Sequence, residues 1–577
     1  MVLIIYLCYI TLLSLLLRKW HHRFHSLMIT GCNFTFAALM FFCVQIQPNM
    51  TAGDIFAAIG SALYAAPSAI SFQGNTSLFG PDASYVFFLM SLYTVRTVLA
   101  LFFREIFVRI RMKWRMFTRK TIYLVTGTRN DAGRFIRDLN CCVPYPAVVY
   151  LTDQVSADLP LDAYEADFSF LSRLQNGKNY QVLLLPADDL RNQQLLLELE
   201  EVGKRGISLR VTAFTNNELL RIENMVFPHL DLYLLSQEQM AVQDFLFQNR
   251  PLARLRQLDP PPAPGHIFRP HAPFSLCIIG FDAFAREFLL QTYENTSFTT
   301  ASGTPALDVL VIDHELTDKK AAFLSDFPYF VQASGLQWLD AHVPSDALFQ
   351  ALSARRFHQI LVATQDTEEN IHLTLRIRRL FVHGTTEQPT PQLVVALFHE
   401  DPGAAALLQN DDNVIFQQVN QCQFTYEKLI ERSIDRQAEA LHRQYQHNSL
   451  FTPQWRELDT FTQSSNRAVV WDIPNKLLLA GDISSLNEPE REALFWELAQ
   501  YEHLRWNAFH FARGWLPLME LTPEERDHCR LKRSAEKRHA CLVDWDQLNT
   551  LPQQEPGLLK RYDYENVASL FEARKNV

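Results

Sequence analysis

Three nearly unbroken apolar runs open the chain, over residues 1–17, 28–47 and 84–103, each close to the roughly 20 residues that cross a hydrocarbon core. The first run begins without basic residues and lacks a small-residue cleavage site, which argues against a removable signal peptide. Arg18, Lys19 and Arg23 separate the first two runs, and Arg104, Arg109, Arg111, Lys113, Arg115, Arg119 and Lys120 follow the third. Basic residues collect on the cytoplasmic side of spans, so both clusters predict an outside N-terminus, three crossings and a cytoplasmic body. Residues 54–72, rich in Ala, Gly and Ser and broken by Pro67, read equally as a re-entrant helix or as an interfacial loop. Arg96 falls near the middle of the third run. Such an arginine faces a bundle interior, a cavity or a partner, which implies a homo-oligomer, unless the span is shifted and the side chain snorkels.

Beyond Lys120 the pattern turns to short apolar runs alternating with amphipathic stretches. Buried strands are predicted at TIYLVTG (121–127), AVVYLTD (147–153), YQVLLLPADD (180–189), ISLRVTAF (207–214) and LDLYLLS (230–236). Strands alternating with helices build a parallel sheet covered on both faces. The order repeats after the proline-rich DPPPAPG (259–265), read as a linker, with FSLCIIG (274–280), VLVID (309–313), HQILVATQD (358–366) and QLVVALFHE (392–400). VLLLPADDLRNQQLLLELEEV aligns with ILVATQDTEENIHLTLRIRRL, and SLRVTAFTNNELL with QLVVALFHEDPGAA. In both halves a strand ends in an acid, Asp188 or Asp366, ahead of polar residues suited to capping a helix.

The predicted fold is therefore multidomain. Transmembrane helices occupy 1–119, and two doubly wound α/β Rossmann-like domains occupy 120–258 and 274–430 around a linker at 259–273. A polar helical connector covers 431–454, and a small mainly helical domain covers 455–577. A chain of 577 residues is too long for a single core. A mean hydropathy of −0.08 keeps the membrane part a minority. The net charge of −10 argues against a nucleic-acid partner held by a basic face. Nine scattered cysteines, with Cys141 and Cys142 too close for a normal bridge and no C-x-x-C pair, fit a reducing compartment.

In the second α/β copy, Gly280-Phe281-Asp282-Ala283-Phe284-Ala285 occupies the strand-to-helix turn where a dinucleotide fingerprint lies. Gly280 keeps the first position, Asp282 puts a carboxylate at the second, and Ala285 is an accepted third residue. Asp313, ending the next strand, can hold a ribose hydroxyl, although it lies further from Gly280 than the usual roughly 20 residues. The first copy offers Gly127 and Gly133 in GTRNDAG. With Asp366, Gly280, Asp282, Ala285 and Asp313 form the candidate cofactor set, for NAD or another nucleotide. A Rossmann-like domain with a lost or altered ligand fits them equally.

The run LVATQDTEENIHLTLRIRRL resembles the corresponding segment of the TrkA-N, or RCK, regulatory domains of potassium transporters and channels. The resemblance, over about 120–430, implies a nucleotide-binding Rossmann pair beneath a membrane pore, as in one subunit of a gating ring. The N-terminal order of helix, broken segment and helix matches a tetrameric cation-channel pore. The filter sequence TVGYG is absent, so potassium selectivity gains no support.

The C-terminal stretch LFWELAQYEHLRWNAFHFARGW (494–515) reads as a helix rich in aromatic residues. Glu502, His503 and Arg505 can form a polar patch beside an aromatic floor, suited to stacking a flat ligand. For Trp506, Trp515 and Trp545 taken singly, the core of a small helical domain is the plainer reading. A zinc site from His503, His510 and His539 lacks the H-E-x-x-H spacing and a cysteine pair, so no metal is predicted. Glu502-His503-x-Arg505-Trp506, Gly514-Trp515, His539 with Leu542-Val543-x-Trp545, and the Asp563 to Val567 end resemble the RyR domain of ryanodine receptors, over about 455–572. That resemblance implies ligand or partner binding without catalysis, by Glu502, His503, Arg505, Trp506, Trp515, His539 and Trp545.

The leading expectation is a multi-pass protein of the cytoplasmic membrane whose soluble domains sense a nucleotide-like ligand. It would gate or regulate a pore or ion flux, as a stress or antiviral-defence effector, with the basic segment 104–119 as coupling element. A membrane-tethered NAD-dependent oxidoreductase or epimerase is the alternative, but no Y-x-x-x-K dyad occurs and no catalytic residue is predicted. A non-catalytic membrane-anchored scaffold is the third reading.

Overall fold

The computed structural model describes residues 33–35, 37–38, 51, 53–59, 61–62, 104–153, 162–186, 188–215, 226–332, 335–383, 390–398, 412–419, 424–448 and 453–575. The chain falls into two compact units. The first comprises Met1–Arg119 with Ala147–Val149 and Gln154–Glu165. The predicted spans 1–17 and 84–103, with Arg96, lie outside the described residues, as does 28–47 apart from helical residues within 33–38. Of 54–72, residues 54–59 and 61–62 are helical. That helix begins on a reciprocal cap, in which the Thr51 amide donates to the Asp54 carboxylate at 2.9 Å and the Asp54 amide to the Thr51 hydroxyl at 3.4 Å. Among the described residues, no helix is long and apolar enough to cross a membrane. Helix α1 (Arg104–Thr118) buries Val108 and Met112, while Ile110, Trp114 and Phe117 stand exposed between basic residues. Only Arg119 and Lys120 separate α1 from the first strand.

The second unit holds two α/β copies and the C-terminal module. Strands β1 (Thr121–Val125), β2 (Ala147–Leu151), β3 (Tyr164–Ala166), β4 (Asn179–Leu184), β5 (Ser208–Phe214) and β6 (Asp231–Leu235) form one sheet, ordered β3-β2-β1-β4-β5-β6. Strands β7 (Phe274–Ile279), β8 (Leu307–Asp313), β9 (Leu336–Asp340), β10 (Gln359–Val362), β11 (Gln392–Leu397) and β12 (Val414–Gln418) form the other, ordered β9-β8-β7-β10-β11-β12. The two orders are the same position for position, and both are the doubly wound Rossmann-like order. Parallel pairing runs through the whole second sheet and from β1 to β6 in the first. The predicted tandem of α/β folds is thus the observed one. The central strands are mostly apolar because both of their faces are covered, as the fully buried β7 and β10 show.

Two devices recur in both copies. Asn192, in α3 (Asp189–Gly203), donates to the carbonyls of Leu185 and Phe214 at 3.1 and 2.9 Å. Asn370, in α9 (Thr367–His383), donates to Thr364 and Ala396 at 2.9 Å each. Each side chain is buried and ties the ends of two neighbouring strands, which would otherwise leave carbonyls unsatisfied. The preceding acids cap the same helices, Asp188 accepting from the Arg191 amide at 3.1 Å and Asp366 from Glu369 at 3.0 Å. Gly127 and Gly280 are the second device. Both have positive φ, and a Cβ would sit 2.6 Å from Leu185 Cβ and 2.4 Å from the Ala363 carbonyl respectively.

The proline-rich stretch between the copies is not a free linker. Ile267 and Phe268 are buried, the Phe268 amide donates to Leu479 at 2.8 Å, and His266 meets Glu497 at 2.7 Å. The polar helix predicted as a connector, α10 (Ser433–Asn448), also packs, with Asp435, Ala438 and His442 buried. The remaining helices of the copies include α2 (Arg129–Cys142), α4 (Gln237–Gln248), α5 (Pro251–Leu258), α6 (Ala283–Asn295), α7 (Leu316–Asp326) and α8 (Asp346–Ala354). The C-terminal module contains α11 (Thr460–Trp471), α12 (Ile473–Ala480), α13 (Glu488–Phe511) and α14 (Leu558–Lys575), with a small sheet from β13 (Leu516–Pro517), β14 (Lys532–Arg533) and β15 (Arg538–His539). It docks on the second copy, where Tyr329 stacks on Phe511 with ring centres 3.5 Å apart. Gly514 fits there because a Cβ would lie 2.6 Å from the Asp326 carbonyl.

Candidate functional site

Helix α13 starts on a capping box between Asn487 and Glu490, and its length carries one face from the second copy to α14. Along that face, Glu502, His503, Arg505 and Trp506 line a cleft of about 480 Å³, completed by residues of α10, α11 and α14 and by His539 and Cys541. This volume lies in the range of small-molecule sites. Trp506 is the aromatic wall. Its ring centre lies 3.9 Å from that of His510, 5.0 Å from His539 and 6.2 Å from His503. The α14 side contributes Tyr562, Asp563, Glu565 and Asn566, and the α11 side contributes Thr462, Ser465 and Asn466.

The histidines are held by backbone. His503 Nε2 lies 2.8 Å from the Val543 carbonyl and His510 Nδ1 2.9 Å from the Trp506 carbonyl, so each nitrogen donates. His539 Nδ1 accepts from the Cys541 amide at 3.1 Å. Burial, helped by nearby Lys532 and His503, pulls His539 down to about 3, and burial likewise keeps His510 far below the ordinary histidine range. Both are neutral at pH 7. Asp563 faces His503 Nδ1 at 3.5 Å, and burial raises its carboxyl. The cleft thus offers a flat apolar wall beside imidazole rings, amides and hydroxyls, with Glu502, Arg505, Asp563 and Glu565 also in its lining.

Glu502 and Arg505 form a bidentate pair at 2.9 and 2.7 Å, and Lys476 reaches the same carboxylate at 2.7 Å. Burial alone would raise Glu502, but Arg505 and Lys476 outweigh it and hold the carboxyl at about 2. Lys476 continues to Asp472 at 2.8 Å, which accepts from the Tyr501 hydroxyl at 2.6 Å. Of the seven residues expected to bind ligand, the cleft gathers Glu502, His503, Arg505, Trp506 and His539. Trp515 is core, packed on Phe461 at 4.9 Å, and Trp545 lies behind His503 at 5.7 Å. The α14 residues were not among those expected to bind ligand, although Asp563 belongs to the stretch that carries the RyR resemblance. Their signal was the one-turn spacing of Tyr562, Asp563 and Asn566 beside the buried Val567 and Phe571.

The second copy's crevice is built differently from a phosphate loop. Asp313, almost fully buried, accepts from the Phe281 amide at 2.7 Å, the Glu315 amide at 2.9 Å and Lys319 at 3.0 Å. Burial would raise its carboxyl, but these donors hold it below the usual range. Lys319 also meets Asp282, which precedes α6, at 3.2 Å. Gly280 and Asp282 therefore lie beside Asp313, Ala285 is buried in α6, and Asp366 caps α9. A pyrophosphate would meet two carboxylates and a cation already shared between them, so the donor set does not fit a dinucleotide.

No protein-family model matches the chain, and no curated protein sequence matches it. Among solved structures, one titled GsuK Channel is 12% identical with a TM-score of 0.31, over 73% of this chain and 82% of that one. The D-lactate dehydrogenase of Escherichia coli is 13% identical with a TM-score of 0.21, over 58% of this chain and 99% of its own. A D-isomer specific 2-hydroxyacid dehydrogenase family protein from Aeromonas salmonicida is 13% identical with a TM-score of 0.21, over 59% and 100%. At these scores the likenesses add nothing to the strand order described above.

Proposed function

We propose that the chain is a ligand-sensing protein of the cytoplasmic membrane, working as a homo-oligomer. Its RyR-like C-terminal cleft takes a nucleotide-like small molecule, and binding there regulates a pore or ion flux formed by the N-terminal segment. The observation that carries this reading is the position of Arg505. It lines the cleft and also a small cavity where both α/β copies meet the C-terminal module. A flat ligand on Trp506 therefore sits beside an ion pair that belongs to the junction of three folded parts. A ligand shifts an equilibrium only as far as its affinities for the two states differ, and a changed Glu502–Arg505 pair supplies such a difference. The covalent path onward is short, because two residues join β1 to α1.

The test uses the full chain in liposomes, with ion flux recorded against a panel of adenine and pyridine nucleotides whose binding is measured in parallel. One nucleotide class is expected to change the flux. Trp506→Ala should raise the concentration needed by about tenfold, the size of one lost stacking contact. Unchanged flux with nucleotides that demonstrably bind would sink the proposal.

A further inference from the structure

The junction of the two α/β copies with the C-terminal module encloses a cavity of about 90 Å³. Four guanidiniums line it, those of Arg250, Arg467, Arg505 and Arg513, against the two carboxylates of Glu294 and Asp472. A neighbouring cavity of about 70 Å³ shares Arg467, Arg513 and Glu294 with it. Three of the arginines are matched. Arg513 meets Glu294 at 2.6 Å, Arg505 holds Glu502, and Arg467 pairs with Asp435. Arg250 is different. Its guanidinium donates to neutral oxygens, those of Asn295 at 3.5 Å, Asn475 at 3.4 Å and the Trp471 carbonyl at 3.3 Å, and lies over the Phe247 ring at 5.5 Å. Asp472 favours the Arg250 charge at longer range, but its oxygens are hydrogen-bonded by Lys476, Asn475 and Tyr501.

Arg250 is 8% exposed, and a buried cation held by three long bonds to neutral groups is costly unless an anion joins it. Burial already pushes its pKa below the ordinary arginine value. A cavity of this size holds a few waters and has room for one small oxyanion. The planar fork of a guanidinium matches two oxygens of such an ion.

We propose that this cavity binds a tetrahedral oxyanion, inorganic phosphate, with Arg250 as its principal ligand. Bound there, the anion ties the start of α5 in the first copy to α6 in the second and to α11 and α13 in the module. The site shares only Arg505 with the cleft and stands whether or not the cleft takes a nucleotide.

Equilibrium dialysis of the full chain in detergent, with radiolabelled inorganic phosphate at fixed ionic strength, tests it. One saturable site per chain is expected, weakened at least tenfold in Arg250→Gln. Ser464→Asp, on the wall of both cavities, puts a fixed carboxylate in the anion's place and should cause the same loss, which keeps the test decisive if Arg250→Gln does not fold. The proposal is overturned by the absence of saturable binding, or by binding that survives both substitutions. Binding lost in Trp506→Ala but kept in Arg250→Gln would place the anion in the cleft and overturn it equally.

Discussion

Lys476 is 1% exposed, and its ammonium is shared by the carboxylates of Asp472 and Glu502. Removing one member of a buried ionic cluster leaves the others uncompensated, so Lys476→Met should destabilise the fold by about 3–5 kcal/mol. Urea unfolding would show this as a lower midpoint with an unchanged slope. His539 gives the same region a pH dependence. Its folded pKa of about 3 lies below the ordinary 6.5, so the unfolded chain takes up the proton first. Its contribution to stability is therefore complete above about pH 6.5 and is lost progressively as the pH falls toward 3, at about 1.4 kcal/mol per pH unit. Thermal midpoints measured across that window should flatten in His539→Gln. None of this was legible residue by residue. Glu502, His503 and Arg505 stood out in the sequence as a polar patch, but nothing local marked Lys476, 26 positions earlier, as the partner of Glu502.

At the scale of elements, the repeated Asn192 and Asn370 are the most economical test of the duplication. Each satisfies two strand-end carbonyls. Asn192→Ala and Asn370→Ala should each cost about 1–3 kcal/mol, the penalty of leaving buried acceptors unpaired, read as a lower denaturant midpoint. The central strands were legible because they are buried on both faces and read as continuous apolar runs. Strands β3, β9 and β12 were not, because their residues are only partly buried and their sequences carry no such run. Gly127 and Gly280 were legible as turn glycines, yet their role was not. Only the tertiary structure shows that each clears the end of a neighbouring strand, so Gly280 needs no phosphate to explain it.

At the scale of the whole second unit, α10 and the helices after it are locked to the first copy by charge. Arg467 pairs with Asp435 and lies over the Tyr233 ring at 4.5 Å, while Arg432 meets Asp435 at 2.9 Å and the Asp231 carboxylate at 3.7 Å. Arg467→Met leaves Asp435 short of one buried partner, and the first copy should then unfold apart from the C-terminal module. Calorimetry of the full chain would resolve this as a separate, earlier transition, absent from the parent protein. The sequence by itself determined the tandem α/β order and the helical C-terminal module, because hydrophobic periodicity and helix-capping residues act within a few positions of one another. The tertiary structure alone decided which distant charges meet. Lys476 reaches Glu502 and Arg467 reaches Asp435 across separations that no local pattern encodes, and burial then fixes the cost of leaving any of them unpaired.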